Sequence, residues 1–183
     1  MNTDKKSLRE KLMKDRLAIS SSDWQMRSLK ICERIAPIAK FEHIALYKSF
    51  RNEVDVSPLI SLLPTKAFYF PKTNLADSSM EFIRYDASKP FVKNRWGVEE
   101  PDTGESLVSG AQTLIIVPAL AYDKNGHRLG YGKGFYDRFL SSFSATTLGV
   151  CFSEFFFESL PSEAHDRVVN HVVTELGSLD VTR

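Results

Sequence analysis

The chain has 183 residues, of which 43% are apolar and 26% charged, and its net charge is +1. This length suits one domain with a sizeable core, and the composition is ordinary for a globular protein. A nearly neutral chain creates no broad field for nucleic acid or an anionic membrane, so we expect neither as a partner. Residues 1–6 carry no signal-peptide pattern and no apolar run approaches membrane-spanning length, so we expect a cytoplasmic protein.

The first part of the chain is predicted to be helical. Residues 4–19 are rich in helix formers and carry an approximate apolar stripe, while six Lys and Arg residues crowd the other faces. Residues 20–23 offer N-cap groups for a second helix that should run to about residue 41, although Pro37 should end or kink it.

Strand-like runs alternate with helical segments through the rest of the chain. Strands are predicted at 43–50, 67–70, 80–85, 113–121, 146–152 and 171–176. Helices are predicted at 56–63, 132–143 and 154–160, and a long loop at 88–110. The run 113–121 is the most continuous apolar strand, which favours a central position. This alternation predicts a single α/β domain over 1–183 in three layers, a mainly parallel central sheet with helices on both faces.

The segment 118–138 carries the strongest chemical signal because it leaves the predicted central strand and enters a helix. Ligands of open α/β sheets bind at the carboxyl ends of strands. Gly130, Gly132 and Gly134 let the backbone approach a ligand closely, and free N–H groups at a helix start suit phosphate. The pattern matches neither the P-loop nor the dinucleotide fingerprint. The alternative to a ligand site is a purely structural glycine-rich turn before a capped helix.

Charged residues accompany these glycines. Arg128 and Lys133 add positive charge, and Asp137 follows Lys133 by about one helical turn, so it should lie on the same side. A carboxylate would repel nearby phosphates, so its position here is explained if it binds Mg²⁺. The segment therefore predicts a local phosphate site with a metal.

The stretch 128–137, with the sequence RLGYGKGFYD, resembles the hallmark of the 5-formyltetrahydrofolate cyclo-ligases, also called methenyltetrahydrofolate synthetases. Further similar motifs follow in the family's order over almost the whole chain, at residues 5–9, 53–55, 70–72, 96–101, 165–166 and 172–175. The chain departs from the pattern at three positions: Tyr131 stands where some members carry Arg, Phe135 where Tyr is usual, and Asn170 where Asp is frequent.

The resemblance implies a site, residue by residue. ATP would contact Lys5, Lys6, Ser7, Leu8, Arg9, Arg128, Gly130, Gly132, Lys133, Gly134, Phe135, Tyr136 and Asp137. The folate would contact Phe50, Asp55, Tyr131, Gly132, Lys133, Gly134 and Phe135. Asp137 and Asp166 would hold Mg²⁺, and Lys133 and Arg128 would stabilise the phosphoryl group in transfer.

The resemblance also implies an activity, the ATP-dependent conversion of 5-formyltetrahydrofolate to 5,10-methenyltetrahydrofolate through a phosphorylated formyl group. We expect a monomer. Two other functions stay open: a sugar-phosphate isomerase of related α/β architecture, and a nucleotide- or folate-binding regulatory module. Taken alone, the minor motifs have plainer explanations. Lys5, Lys6 and Arg9 could be a solvated helix face, and Glu53 and Asp55 could be loop-solubilising acids or the cap of the next helix. His165–Asp166 could be a turn, and Trp96 could be part of the core.

Overall fold

The computed structural model describes residues 5–74, 76–163 and 166–181. Its α-helices over these ranges are α1 (Lys5–Leu17), α2 (Ser21–Ile35), α3 (Pro58–Leu62) and α4 (Phe135–Ser142). Its strands are β1 (His43–Ala45), β2 (Ala67–Asn74), β3 (Ser79–Arg84), β4 (Phe91–Lys93), β5 (Glu99–Pro101), β6 (Thr113–Val117), β7 (Ala121–Asp123), β8 (Arg128–Leu129), β9 (Thr146–Val150), β10 (Phe156–Phe157), β11 (His171–Val173) and β12 (Ser178–Asp180).

The second helix shows how local chemistry sets its bounds. The Ser20 hydroxyl accepts a hydrogen bond from the Asp23 N–H at 3.2 Å, which caps the start of α2. The helix ends at Ile35. The next residue, Ala36, still has helical angles and donates to the Cys32 carbonyl, but Pro37 has no N–H with which to continue the helical hydrogen bonds. The predicted helix is therefore confirmed, with an end well before residue 41.

The central sheet has seven strands in the order β12-β11-β9-β6-β1-β2-β3. The five inner strands, from β11 to β2, run parallel, and the edge strands β3 and β12 pair antiparallel with their neighbours. All five residues of β6 are buried, as expected of a strand at the centre of a sheet covered on both faces. The predicted mainly parallel α/β architecture is confirmed.

The topology brings two loops to one edge of this sheet. Because β1 and β6 are parallel neighbours, the chain leaves both strands at the same end. Beyond β1 lies the 50–55 loop. Beyond β6 the chain forms β7 and β8, then the glycine turn, residues 130–134, which leads into α4. Later in the chain, β10 pairs with β7 and completes a small second sheet. Buried side chains from these elements join one continuous apolar core.

Two regions differ from the sequence prediction. The predicted loop 88–110 contains the antiparallel hairpin of β4 and β5, anchored where the buried Glu100 accepts hydrogen bonds from Thr73 (2.7 Å) and Asn94 (2.9 Å). The helix predicted at 154–160 is wrong. Residues 153–155 form one 3₁₀ turn, and Phe156–Phe157 then pairs in parallel with β7. None of the described helices is long and apolar enough to cross a membrane.

Candidate active site

The glycine turn (residues 130–134) needs two of its three glycines. Gly132 has φ +82° and Gly134 has φ +68°, a backbone region that side chains with a Cβ adopt only at a cost. Gly134 is also the N-cap of α4. Gly130 has neither a positive φ nor any atom within 4 Å of where a Cβ would stand, so the fold does not require glycine there.

The first turns of α1 pack against the glycine turn. Arg9 Nε donates a hydrogen bond to the Gly130 carbonyl at 2.8 Å, and a Cβ on Gly132 would lie 3.4 Å from the Arg9 guanidinium carbon. Lys6 and Ser7 are exposed, and Leu8 packs against the core. The structure therefore brings the two segments that were predicted to contact ATP into one place.

Lys5, the first residue of α1, contacts the segment near the C-terminus. Its Nζ lies 2.8 Å from Asp166 and 2.9 Å from Glu163. Burial opposes the charged form of Lys5, but its hydrogen bonds to the two carboxylates prevail and raise its pKa. The predicted motif partner of Asp166, His165, lies outside the described residues.

Arg128 and Asp137 form a tight pair. Arg128 Nη2 lies 2.6 Å from Asp137 Oδ1, and its Nη1 donates to the Arg167 carbonyl at 2.6 Å. The Arg128 side chain is 5% exposed, and the Arg167 N–H also donates to Asp137, at 3.2 Å. Arg128 therefore orients Asp137 in this arrangement, and a direct contact with phosphate stays a prediction.

Lys133 is the contrasting cation. It is exposed, it lies between the two glycines of positive φ, and its ammonium has no partner among the residues the structure describes. Its carbonyl accepts a hydrogen bond from Arg138 Nη2 at 2.9 Å, which steadies the backbone. Lys133 is therefore held by its main chain while its charge stays available to an anion.

The two carboxylates predicted to hold Mg²⁺ fit that ion by donor type. Mg²⁺ prefers oxygen ligands, usually one or two carboxylates together with waters and substrate phosphates. Asp137 and Asp166 belong to adjoining segments, since the Arg167 N–H contacts Asp137. No group of three or more metal-binding side chains occurs among the described residues, so phosphate and water would complete the shell.

Aromatic side chains line the start of α4. The Phe135 ring meets Trp96 edge to face at 6.0 Å, and the Arg138 guanidinium lies 5.3 Å from the same ring. Trp96 is 37% exposed, so it is not a core residue. The Tyr136 hydroxyl is buried and has no hydrogen-bond partner among the described residues, and burial raises its pKa.

The 50–55 loop carries two of the residues predicted to bind the folate, Phe50 and Asp55. Phe50 is half-buried, and the Arg51 guanidinium lies 4.9 Å from its ring. Asp55 Oδ1 accepts the Ser57 N–H at 3.0 Å, a local turn just before α3. The N-cap of α3 is Ser57, so Asp55 is not the cap of that helix, and a contact of Asp55 with the folate stays a prediction.

Arg16, which the sequence analysis did not single out, lies at the centre of the site. It is 2% exposed and donates to the carbonyls of Arg51 and Ala119, each at 3.0 Å, and to the Tyr131 hydroxyl. Its burial had a signal in the sequence, because Arg16 follows Leu12 by four residues and so lies on the apolar stripe of α1.

Glu53 is the buried acid of the site, with 5% of its surface exposed. It accepts the Phe50 N–H at 3.0 Å and interacts with the Tyr131 hydroxyl. Burial raises its pKa from 4.5 to about 7, against the opposing effects of Arg16, the Phe50 N–H and Tyr131. Burial likewise raises the pKa of Tyr131 to about 12.

The chain is similar to known proteins both in sequence and in structure. A protein-family model described as the 5-formyltetrahydrofolate cyclo-ligase family matches residues 1–175. The 5-formyltetrahydrofolate cyclo-ligase of Mus musculus is 26% identical over 96% of this chain and 95% of its own length. That of Escherichia coli K12 is 32% identical over 75% of this chain and 80% of its own. The solved 5,10-methenyltetrahydrofolate synthetase of Aquifex aeolicus superposes with a TM-score of 0.84 at 29% identity, covering 98% of this chain and 93% of that one.

Proposed function

This chain belongs to the 5-formyltetrahydrofolate cyclo-ligase family, and we propose that it uses ATP to convert 5-formyltetrahydrofolate to 5,10-methenyltetrahydrofolate, ADP and phosphate. One observation carries the proposal beyond family membership. Lys133 is exposed and has no ion-pair partner among the described residues, and its glycine turn lies next to the start of α1, at the sheet edge that also holds the 50–55 loop.

The chemistry explains why ATP is needed. The formyl group on N5 is an amide, so its carbon is a poor electrophile and its oxygen a poor leaving group. In the first step the formyl oxygen attacks the γ-phosphorus, ADP leaves, and the oxygen becomes part of an imidate phosphate. N10 then attacks the activated carbon and loses its proton, and phosphate departs with the former formyl oxygen. The product is the methenyl ring, with one ADP and one phosphate.

Positioning and charge supply most of the catalysis in such transfers. Lys133 would neutralise charge on the phosphoryl group in transfer. The free N–H groups at the start of α4 and of α1 would add to this, since helix N-termini favour anions. Lys5, Lys6 and Arg9 place cations at the N-terminal end of α1, where they oppose the helix dipole, and an anion bound there would offset that cost.

Asp137 and Asp166 would hold Mg²⁺ when it is bound, directly or through water. Bound there, the ion would supply positive charge that neutralises part of the negative charge of the phosphates. Arg128 would keep the Asp137 carboxylate oriented through their 2.6 Å contact, which makes it a positioning residue in addition to its predicted role at the phosphate.

Folate binding is assigned to the 50–55 loop and the glycine turn. Phe50 would pack on the pterin ring and Asp55 would accept pterin N–H groups through the carboxylate oxygen that does not bind Ser57. Phe135, from the glycine-turn side, would close the pocket. The reaction requires no covalent enzyme nucleophile.

An absorbance assay for the methenyl product tests the proposal. Purified protein with 5-formyltetrahydrofolate, ATP and Mg²⁺ should form one ADP for each product. No product at high enzyme concentration would refute the activity. Binding of ATP and of the folate without turnover would instead support the regulatory module.

A further inference from the structure

The C-terminal motif, residues 172–175, is not among the residues assigned above to ATP, folate or Mg²⁺. Its last residue, Glu175, follows β11 and has 6% of its surface exposed. Its Oε2 accepts the Ser153 N–H at 3.0 Å, and its Oε1 accepts the Ser153 hydroxyl at 2.8 Å. A buried charge also needs an opposite charge beside it, and for Glu175 an arginine of α2 supplies that charge.

Arg27, in the second turn of α2, is this partner. Its Nη2 lies 2.6 Å from Glu175 Oε1, its Nε donates to the same oxygen at 3.1 Å, and its guanidinium lies 4.5 Å from the centre of the Phe152 ring. Arg27 also pairs with Glu154 and Asp23, whose side chains are 45% and 43% exposed and are therefore screened by water. The side chains of Arg27 and Glu175 are 14% and 8% exposed, so this pair is the least screened of the three.

The same turn of α2 contacts the 50–55 loop. Trp24 Nε1 donates to the Glu53 carbonyl at 2.7 Å, and the Ser28 hydroxyl accepts the Asp55 N–H at 3.0 Å. These two helix residues flank the arginine in the sequence, so all three lie within about one turn. The end of β11 and the 50–55 loop are therefore connected through one turn of α2.

Apolar packing holds the two halves of α2 unequally. The buried residues of this helix all belong to its second half, and they are Ser28, Ile31, Cys32 and Ile35. In the first half, residues 21–27, Trp24 is partly buried and Met26 is 64% exposed. The position of the first half therefore depends on polar contacts, and its pair with Glu175 joins it to the end of a central strand.

We propose, building on the function proposed above, that Glu175 and Arg27 are positioning residues for the folate, which hold the first half of α2 so that it keeps the 50–55 loop in its binding conformation. They act on the loop through the helix and not on the substrate. When the pair is broken, the loop should relax, because it contains two residues of positive φ that only its surroundings hold in place. Affinity for the folate should then fall, whereas affinity for ATP, which is assigned to the glycine turn and α1, should change little.

Kinetics of variants in α2 test the proposal. Arg27→Met keeps most of the side-chain length but loses the ion pair, and it should raise KM for 5-formyltetrahydrofolate by between about fivefold and tenfold, as for the loss of one hydrogen bond to the loop. KM for ATP and kcat should change little. Trp24→Phe removes a hydrogen bond to the loop directly and should have a similar effect. The double variant should be little worse than the poorer single one, because both changes release the same loop.

Arg34→Met is the matched control. Arg34 Nε donates to the Glu175 carbonyl at 3.0 Å, but Arg34 lies in the second half of α2, which apolar packing holds. This variant should lower the melting temperature and leave both KM values at the parental level. An unchanged KM for the folate in Arg27→Met, equal rises in both of its KM values, or the same rise in Arg34→Met would overturn the proposal.

Hydrogen exchange of the ligand-free protein separates this proposal from the proposed function. In Arg27→Met the backbone N–H groups of residues 50–57 should exchange about tenfold faster than in the parent, whereas those of residues 31–35 should not. Glu175→Gln, which keeps the shape of the side chain, carries the same test should Arg27→Met fail to fold. If the parent forms no methenyl product, the proposed function is wrong and the exchange result alone decides the positioning role. Unchanged exchange at residues 50–57 would overturn that role.

Discussion

The glycine turn and the 50–55 loop adopt the same unusual backbone conformation by different means. In the turn, the positions of positive φ are the glycines Gly132 and Gly134. In the loop, they are Arg51 (φ 51°) and Asn52 (φ 56°), residues with a Cβ for which this region costs energy. The turn is thus shaped by residue type, whereas the loop must be held by its surroundings.

Hydrogen bonds to the region of the first two helices hold the 50–55 loop in this conformation. Asn52 Nδ2 donates to the carbonyls of Arg16 and Ile19, at 3.2 and 3.3 Å. Trp24 Nε1 donates to the Glu53 carbonyl at 2.7 Å. Strain of this kind persists only where the surrounding structure over-determines the backbone. The conformation of the glycine turn is therefore specified locally and that of the 50–55 loop through tertiary contacts. Four predictions test this difference, beginning with the largest expected effect.

Lys133 should give the largest effect, because it is the exposed cation of the locally specified turn. Lys133→Ala should lower kcat by roughly 10²- to 10³-fold, as for loss of one preorganised electrostatic contact, and should change the KM for the folate little. Lys133→Arg should recover only part of the rate, since its fork differs in reach. Lys40→Ala, at an exposed lysine ahead of β1, is the control. A folded Lys133→Ala enzyme with near-parental kcat would remove Lys133 from the mechanism.

A substitution at Glu53 should show how the burial of this carboxyl group changes the unfolding free energy with pH. Its pKa is raised from 4.5 in the unfolded chain to about 7 in the fold, so between these values the native state holds a proton that the unfolded chain has lost. The stabilisation of the folded state by this proton is fully present below pH 4.5 and is lost as the pH rises to about 7. Relative to Glu53→Gln, the parent should lose on the order of 3 kcal/mol of unfolding free energy from pH 4.5 to pH 8.

Chemical denaturation at several pH values measures this difference. The unfolding free energy of Glu53→Gln should be flatter with pH than that of the parent over this window. Parallel curves for the two proteins would mean that Glu53 titrates normally in the fold.

The third prediction tests whether Asp137 and Asp166 together bind Mg²⁺. Asp137→Asn and Asp166→Asn should each raise the Mg²⁺ concentration for half-maximal rate by between about tenfold and 100-fold, and excess Mg²⁺ should partly restore the rate. Asp180→Asn makes the same change at the edge strand β12 and should leave the titration unaltered. Unchanged Mg²⁺ titrations in both site variants would exclude these carboxylates from metal binding.

The smallest effects are expected for substitutions at the positive-φ positions of the 50–55 loop and of the glycine turn, compared by their unfolding free energies. Asn52→Ala loses two hydrogen bonds and keeps an unfavourable φ, so it should lower the unfolding free energy by about 2 kcal/mol. Gly132→Ala loses no bond and should cost only about 1 kcal/mol. Asn52→Gly, which removes the bonds but tolerates the φ, should fall between Asn52→Ala and the parent. A cost for Asn52→Ala no larger than that for Gly132→Ala would contradict tertiary control of the loop.

The fold could be predicted where a run of residues carries its own pattern. The apolar run of β6 and the capped helix α2 were predicted because periodicity and capping are local signals. Strands of two or three residues, such as β8, β10 and β12, are too short for any periodicity, and their partners are distant in sequence. A helix was predicted at 154–160, but the pairing of Phe156–Phe157 with β7 makes these two residues a strand.

By itself, the sequence predicted the parallel α/β architecture and the glycine turn with its neighbouring charges, because apolar periodicity, glycine spacing and nearby charges are signals that act within a few residues. Only the tertiary structure decided that Arg128 is paired with Asp137 while Lys133 keeps its charge exposed. It also decided which carbonyl groups the buried Arg16 binds, those of Arg51 and Ala119 in two separate loops, although its spacing from Leu12 already placed it on the apolar stripe of α1. The physical reason is that burial and ion pairing depend on which segments meet, and the sheet order sets those meetings across more than a hundred residues.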